Sequence, residues 1–171
     1  LVANPSRSQD FTYLPAYFNA GIVLIRPARS LGALTTVAQP RAWLAHKMLA
    51  VELGSPAVVL ARFWQKRVVD LQVVALDSPD AVLQAVKLKA VDAGFLSTVQ
   101  AATGLRSEPA AHWQVLPVQD APYQMVVRSI HWQLAQALTD ALDRLAARGV
   151  LEEQRRTWLG WVVADLRWAG E

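Results

Sequence analysis

Hydrophobic and polar positions alternate most legibly between Ser78 and Thr98, SPDAVLQAVKLKAVDAGFLST. Ala81, Val82, Ala85, Val86 and Leu88 recur near the helical period, and Ser78 and Asp80 offer side-chain oxygens to the free N–H groups of a first turn. This predicts a capped helix with one buried face. A strand, Val91–Leu96, follows without a linker and ends on Ser97-Thr98, at its carboxyl end, where open α/β sheets place ligands. Upstream, the β-branched run Gly21–Arg26 predicts a strand, Pro27–Gly32 a turn and Leu34–Ala38 a second strand. Pro40 is tolerated at a first helical position, so a helix is expected from Pro40 to about Leu53, stopped by Gly54 and Pro56. A further helix over Ala57–Lys66 and a strand over Leu71–Ala75 complete the first half. Downstream the pattern predicts a short helix Val99–Thr103, a polar loop Gly104–His112, strands Trp113–Val118 and Tyr123–Val127, and helices Trp132–Arg148 and Leu151–Trp158 before an amphipathic tail. Strands alternating with helices argue for an α/β fold with a largely parallel sheet covered on both faces.

Composition narrows the function classes. The chain has 171 residues, 53% hydrophobic and 18% charged, enough for one large or two small globular domains. No apolar run approaches the roughly 20 residues of a membrane helix, so no membrane span is expected. The sequence opens at Leu1 with neither a basic n-region nor an apolar h-region, so any secretion signal is expected to have been removed or to lie outside it. With no cysteine, disulfides and thiol chemistry are excluded. A net charge of +3 is too small and too scattered for a nucleic-acid stripe. The densest basic cluster, Arg62, Lys66 and Arg67 around Trp64, reads as a solvated helix face or as a partner or anion site. His46, His112 and His131 lack metal-ligand spacing, and no G-x-S-x-G, P-loop or G-x-G-x-x-G occurs. Glu152-Glu153 suit the start of a helix, whose dipole they complement. No catalytic residue, metal or cofactor is expected.

Around the central stretch stand Asn4-Pro5-Ser6-Arg7, Asp10-Phe11-Thr12 and Pro15-Ala16-Tyr17-Phe18 upstream, and Gly149-Val150-Leu151-Glu152-Glu153 with Trp158-Leu159-Gly160 downstream. In that order and spacing the set resembles the family 3 periplasmic solute-binding proteins, the two-lobed receptors of ABC importers and of some sensor kinases. The resemblance implies an α/β fold of the periplasmic-binding-protein type II class, with a complete lobe 2 and the C-terminal part of lobe 1. Its implied divisions are 1–17 in lobe 1, 18–121 as lobe 2, and 122–171 returning to lobe 1. The opening elements of lobe 1 have no counterpart in the sequence, and an earlier segment or a second chain is expected to supply them. The implied function is capture of a small polar or anionic ligand between the lobes by hinge closure, for a membrane transporter or sensor in the periplasm. The alternative is an accessory protein with a degraded pocket, for example one serving a periplasmic quinoprotein dehydrogenase. A dehydratase-type enzyme would need a carboxylate in the cleft, for which the sequence offers no candidate.

The resemblance also implies site residues. Arg7 matches an arginine that grips a ligand carboxylate, a role suited to a planar, permanently charged fork; otherwise it pairs with Asp10 or caps a turn. Ala3 and Asn4 fall where a lobe 1 strand meets the ligand, although Val2 or Ala3 replaces the usual hydroxyl. Where the family opens a lobe 2 helix with Gly-Thr, this chain is aligned on Gln39-Pro40-Arg41, whose side chains replace the donor that proline lacks or simply start a helix. Ser97 stands where the family places an aspartate. A hydroxyl cannot neutralise an ammonium, so standard amino acids lose their anchor. Tyr13, Tyr17 and Phe18, near the implied hinge, form a ligand floor or core. Asp92 is expected to cap or pair structurally. Trp158, Trp161 and Trp168 on the tail pack onto lobe 1 or form a partner surface.

Overall fold

A computed structural model describes residues 9–28 and 38–164. Strand β2 (Ile22–Pro27) is buried from Ile22 to Arg26 because it lies inside a sheet covered on both faces. Its side chains alternate: Ile22 and Leu24 enter one core, Val23 and Ile25 the other. Strands β3 (Met48–Glu52) and β5 (Ala93–Ser97) do the same, sending Leu49, Val51, Ala93 and Phe95 to the first core and Ala50 and Leu96 to the second. With β4 (Gln72–Leu76) and β6 (Trp113–Gln119) they form a five-stranded sheet of order β4-β3-β5-β2-β6.

Helix α2 (Pro56–Gln65) covers the first face with Ala57, Ala61 and Trp64, and the Trp64 ring meets Phe95 edge-on at 5.1 Å. Such an aromatic pair adds about 0.5–1.5 kcal/mol beyond its burial. Helices α3 (Pro79–Lys87) and α4 (Thr98–Gly104) cover the second face with Val82, Val86 and Ala101, joined by Leu105 just after α4. Gly94 is required where α3 crosses β5, since a Cβ there would lie 2.6 Å from Val82 Cγ1. Ser78 caps α3 by accepting from the Ala81 N–H at 3.1 Å, as its sequence position predicts. Asp92 has the expected structural role: its carboxylate accepts from the Met48 N–H at 2.9 Å and tethers the start of β3.

A second, smaller unit is built from β1 (Phe11–Asn19) paired antiparallel with β7 (Pro122–Arg128). Helix α5 (Trp132–Ala147) packs Ala135 and Leu142 against Leu14 and Val127. Helix α6 (Val150–Leu159) follows Gly149, whose φ of 73° lets the chain turn. Arg155 on α6 donates from Nη2 to the Tyr17 carbonyl at 2.9 Å. Gly160, with φ 63°, separates α6 from α7 (Trp161–Ala164). Trp158 and Trp161 therefore do not share a face: Trp158 is exposed, whereas Trp161 Nε1 donates to the Leu105 and Glu108 carbonyls and Val162 enters the second core of the large sheet. Trp168 lies outside the described residues. Among the described residues no helix is long and apolar enough to cross a membrane.

Two expectations are corrected. The helix expected over Pro40–Leu53 is a short helix, α1 (Ala38–Trp43), a turn through His46 at φ 58°, and then β3. MLAVE is a central strand flanked on both sides by parallel partners, so both its faces are apolar and it loses the alternation that marks a strand. Ala38 opens α1, and the rest of the strand expected at Leu34–Ala38 lies outside the described residues. The sheet is also mixed rather than largely parallel. β4, β3 and β5 run parallel, but β2 is antiparallel to both β5 and β6. The reason is topological: β2 carries the chain in from β1 and β6 carries it out to β7, so they run in opposite directions, side by side.

Candidate functional site

Two connections join the units: Asn19 to Ile22, linking β1 to β2, and Gln119 to Pro122, linking β6 to β7. Asn19 ties them together. Its Oδ1 accepts from the N–H of Gly21 at 3.0 Å and of Ala121 at 2.9 Å, while its Nδ2 donates to Asp120 Oδ1 at 3.2 Å. The Ala20 N–H donates to the Ala121 carbonyl at 3.1 Å. Buried Thr98, at the start of α4, donates its N–H and its hydroxyl to the Gly21 carbonyl, both at 2.9 Å, which anchors the crossing to the sheet's end.

Beside this junction lies a cavity of about 530 Å³. Its walls are the crossing segments Ala20–Ile22 and Gln119–Ala121, the carboxyl ends of β3 and β5, the first turn of α2, and the Tyr123 ring. Glu52 and Ser97 end neighbouring parallel strands, β3 and β5, so chain direction alone brings both side chains to the same end of the sheet. Phe18 meets the Tyr123 ring edge-on at 6.2 Å, holding it on the β7 side.

A hydrogen-bonded chain organises the wall. Ser97 is the N-cap of α4: its Oγ accepts from the Gln100 N–H at 3.2 Å, and the Gln100 Oε1 accepts from the Ser97 N–H at 2.9 Å. This reciprocal cap fixes the Gln100 side chain, whose Nε2 then donates to Glu52 Oε2 at 2.6 Å. The Glu52 carbonyl accepts from Ser55 Oγ at 2.7 Å. Because Ser55 turns its hydroxyl back, α2 begins without a side-chain cap, on Pro56 and Ala57 at the cavity wall.

Of the lining side chains Glu52 and Asp120 are acidic and none is basic. Among the described residues neither carboxylate joins an ion pair, and no group of side chains is arranged to hold a metal ion. The expectation that the cleft offers no carboxylate is thereby corrected: β3 supplies one, Glu52, at the end of a strand that lies where the pattern predicts a helix.

Of the residues singled out from the sequence, Ser97 lines the cavity. Ala3, Asn4, Arg7 and the side chain of Gln39 lie outside the described residues. Tyr13 sits within β1 opposite Val126, and Tyr17 packs onto the small unit's core; neither is among the lining residues. Arg41 is exposed, with its guanidinium 5.1 Å above the Trp64 ring in the last turns of α2, away from the helix start at the cavity. The helix start on this wall is Gly54-Ser55, after β3, with both Ser55 donors turned back to the Glu52 carbonyl. Gly followed by a hydroxyl residue and proline is a legible helix start, and the helix expected over Ala57–Lys66 follows it as α2. Arg26, buried at the far end of β2, donates from Nε to Gln114 Oε1 at 2.7 Å and stacks 4.5 Å from the Trp43 ring. Burial pushes its pKa below the usual arginine value, and its place is in the sheet's packing.

No protein-family model and no curated protein matches the chain. Solved structures do. The chain is similar to the second substrate-binding domain assigned to an amino acid ABC transporter of Streptococcus pneumoniae, with a TM-score of 0.72, 14% identity, and 93% of this chain against 70% of that one covered. It is similar to substrate-binding domain 2 of Lactococcus lactis GlnP in its open conformation, with a TM-score of 0.74, 14% identity, and coverage of 93% and 66%. An ancestral cyclohexadienyl dehydratase is also similar, at a TM-score of 0.65, 15% identity, and coverage of 93% and 65%. The fold is therefore that of the type II periplasmic binding proteins, and the chain spans about two thirds of the length of these structures.

Proposed function

We propose that this chain is the ligand-capturing part of a periplasmic solute-binding protein, which closes about a hinge on a small polar solute and presents it to a membrane transporter or sensor. The observation that carries this reading is the cavity of about 530 Å³ at the junction of the two crossing strands, a volume within the ordinary range for small-molecule sites. The large unit from Ala20 to Ala121 is one lobe, and 1–19 with 122–159 belong to the other, while α7 packs back onto the large sheet. The hinge is Ala20-Gly21 and Asp120-Ala121. Asn19 clamps the two crossings so that they bend together, and closure shuts the cavity against the opposite lobe. Arg7, with Asn4 and Ala3, is the proposed ligand contact on that lobe; all three lie outside the described residues. Gly54-Ser55, rather than Gln39 and Arg41, opens the helix at the cavity. The two carboxylates of the described wall support a polar solute and weigh against a purely anionic one.

The reading is non-catalytic, although one structural neighbour is a dehydratase. Its test is a titration calorimetry and thermal-shift panel of amino acids, organic acids and polyamines on the purified chain. Chromatography then analyses the bound solute. A solute that binds, stabilises the protein and is recovered unchanged supports capture. Recovery of a dehydrated product would replace it with catalysis, and no binding by any solute would leave the accessory reading. That second reading has one observation in its favour: Ile130, Trp132, Leu134 and Trp158, on and around α5 and α6, are exposed apolar side chains suited to a protein partner.

A further inference from the structure

We infer that the outer face of α2 rests on an anionic lipid surface, with its cations against headgroup phosphates and its exposed apolar side chains at the acyl boundary. The inference is independent of the solute that the cavity takes. Helix α2 turns Ala57, Ala61 and Trp64 into the core. At about 3.6 residues per turn, its opposite side carries Val59, Arg62, Phe63 and Lys66. All four are exposed, Val59 at 73% and Phe63 at 44%. Arg67 and Val69, exposed just beyond the helix, extend this face, Val69 at 62%. Exposed Arg41 borders it, with its guanidinium 5.1 Å from the Trp64 ring.

Missing counter-charge sets this face apart. Lys47, Lys87, Arg155 and Arg156 each pair with a carboxylate, but among the described residues Arg41, Arg62, Lys66 and Arg67 form no ion pair. Arg62 Nη1 donates to Gln65 Oε1 at 2.9 Å and Arg67 Nη1 to the Phe63 carbonyl at 3.2 Å, both neutral acceptors. The neighbouring acid, Asp70, lies 3.0 Å from His46 Nδ1. The Arg67 guanidinium stacks 3.6 Å from the centre of the Phe63 ring, which holds a cation and an aromatic ring together at one point of the face. Lys66 and Arg67 also complement the C-terminal dipole of α2, which leaves Arg62, Val59 and Phe63 unexplained. The ten residues of α2 span only about 15 Å, a small footing beside the roughly 800 Å² that each partner gives to a stable protein interface. A lipid surface needs no shape complementarity: cations near the phosphates and apolar side chains beneath them suffice. The cavity meets the first turn of α2 and the cations stand in its last turns, so lipid contact and solute capture use different parts of the helix.

The experiment is co-sedimentation of the full chain with vesicles of phosphatidylcholine alone and of an equimolar mixture with phosphatidylglycerol, at low and at physiological salt. Binding to the anionic vesicles alone, weakened by salt, is expected. Each charge removed in Arg62→Gln, Lys66→Gln and Arg67→Gln should weaken it by about fivefold. Val59→Ser should weaken it further without loss of fold, because that side chain is exposed. The control changes net charge equally at another place: Arg128→Gln, Arg144→Gln and Arg148→Gln, all exposed, should bind far better than the α2 triple variant. Equal loss in the two triple variants would show attraction by net charge and overturn the assignment to α2. Equal binding to both vesicle types, or to neither, would overturn the inference, and binding to poly-L-glutamate without binding to vesicles would replace the lipid with an acidic protein partner. Where the α2 triple variant fails to fold, the salt and lipid dependence of the unaltered chain, with Val59→Ser, decides.

Discussion

Asn19→Ala tests the claim that one side chain clamps both crossings. The substitution removes the acceptor for the N–H groups of Gly21 and Ala121 and the donor to Asp120. Both main-chain groups are part-buried, and each lost bond costs about 1 kcal/mol, while the exposed amide–carboxylate contact adds about 0.5 kcal/mol or less. The expected destabilisation is therefore about 2 kcal/mol, which for a chain of this size lowers Tm by roughly 4–8 °C. Urea unfolding followed by tryptophan fluorescence measures it as a shift in midpoint at constant slope, since the surface exposed on unfolding is unchanged. Asn19→Asp separates the two parts of the clamp. It keeps an acceptor for both N–H groups but sets a second carboxylate against Asp120, so its loss is smaller at low pH and is relieved in the Asn19→Asp, Asp120→Asn double variant. A double-mutant cycle gives the coupling. An Asn19→Ala protein within about 0.5 kcal/mol of the parent, less than a single such bond, would refute the clamp.

Three further outcomes follow from the geometry. Ser97→Ala removes the α4 cap and costs about 1 kcal/mol in urea unfolding, whereas Ser97→Asp retains it, because aspartate is as good an N-cap as serine; equal losses in the two would refute the capping role. Gly94→Ala forces a methyl against Val82 Cγ1 and destabilises by about 1–3 kcal/mol, recovered in part by Val82→Ala; an unchanged midpoint would refute the close approach of α3 to β5. Lys87 hydrogen-bonds to Glu108 and holds its carboxyl below the usual glutamate range. A group whose pKa is depressed by folding stabilises at pH above its unfolded value, and that stability disappears as pH falls through the folded one. Glu108→Gln should thus be less stable than the parent at pH 7, with the difference vanishing in acid; a pH-independent difference in thermal midpoint would refute it.

Local chemistry explains which elements were legible. The cap at Ser78 and the periodic face of α3 need only neighbouring residues, α5 carries its own apolar stripe, and Gly149 and Gly160 mark where α5 and α6 stop. The strand β3 was illegible for the opposite reason. Buried between β4 and β5, it has no solvent face and therefore no alternation, and the short α1 before it supplied a helical start that ran on in the pattern. Glu52 is legible as a strand's carboxyl end only once β3 is recognised as a strand. Strand β1 has a mixed pattern because it belongs to a two-stranded unit whose burial comes from α5, far along the chain.

By itself the sequence determined an α/β chain with its central helix and strand, and Ser97 at a strand's carboxyl end. Each of these follows from side-chain period, caps and turn residues within a few positions of one another. Only the tertiary structure decided that the sheet is mixed, that Asn19 bonds to both crossings, and that Glu52, Gln100, Ser97 and Asp120 face one cavity. Strand order and direction bring those residues together from distant parts of the chain, and no local propensity encodes which strand lies beside which.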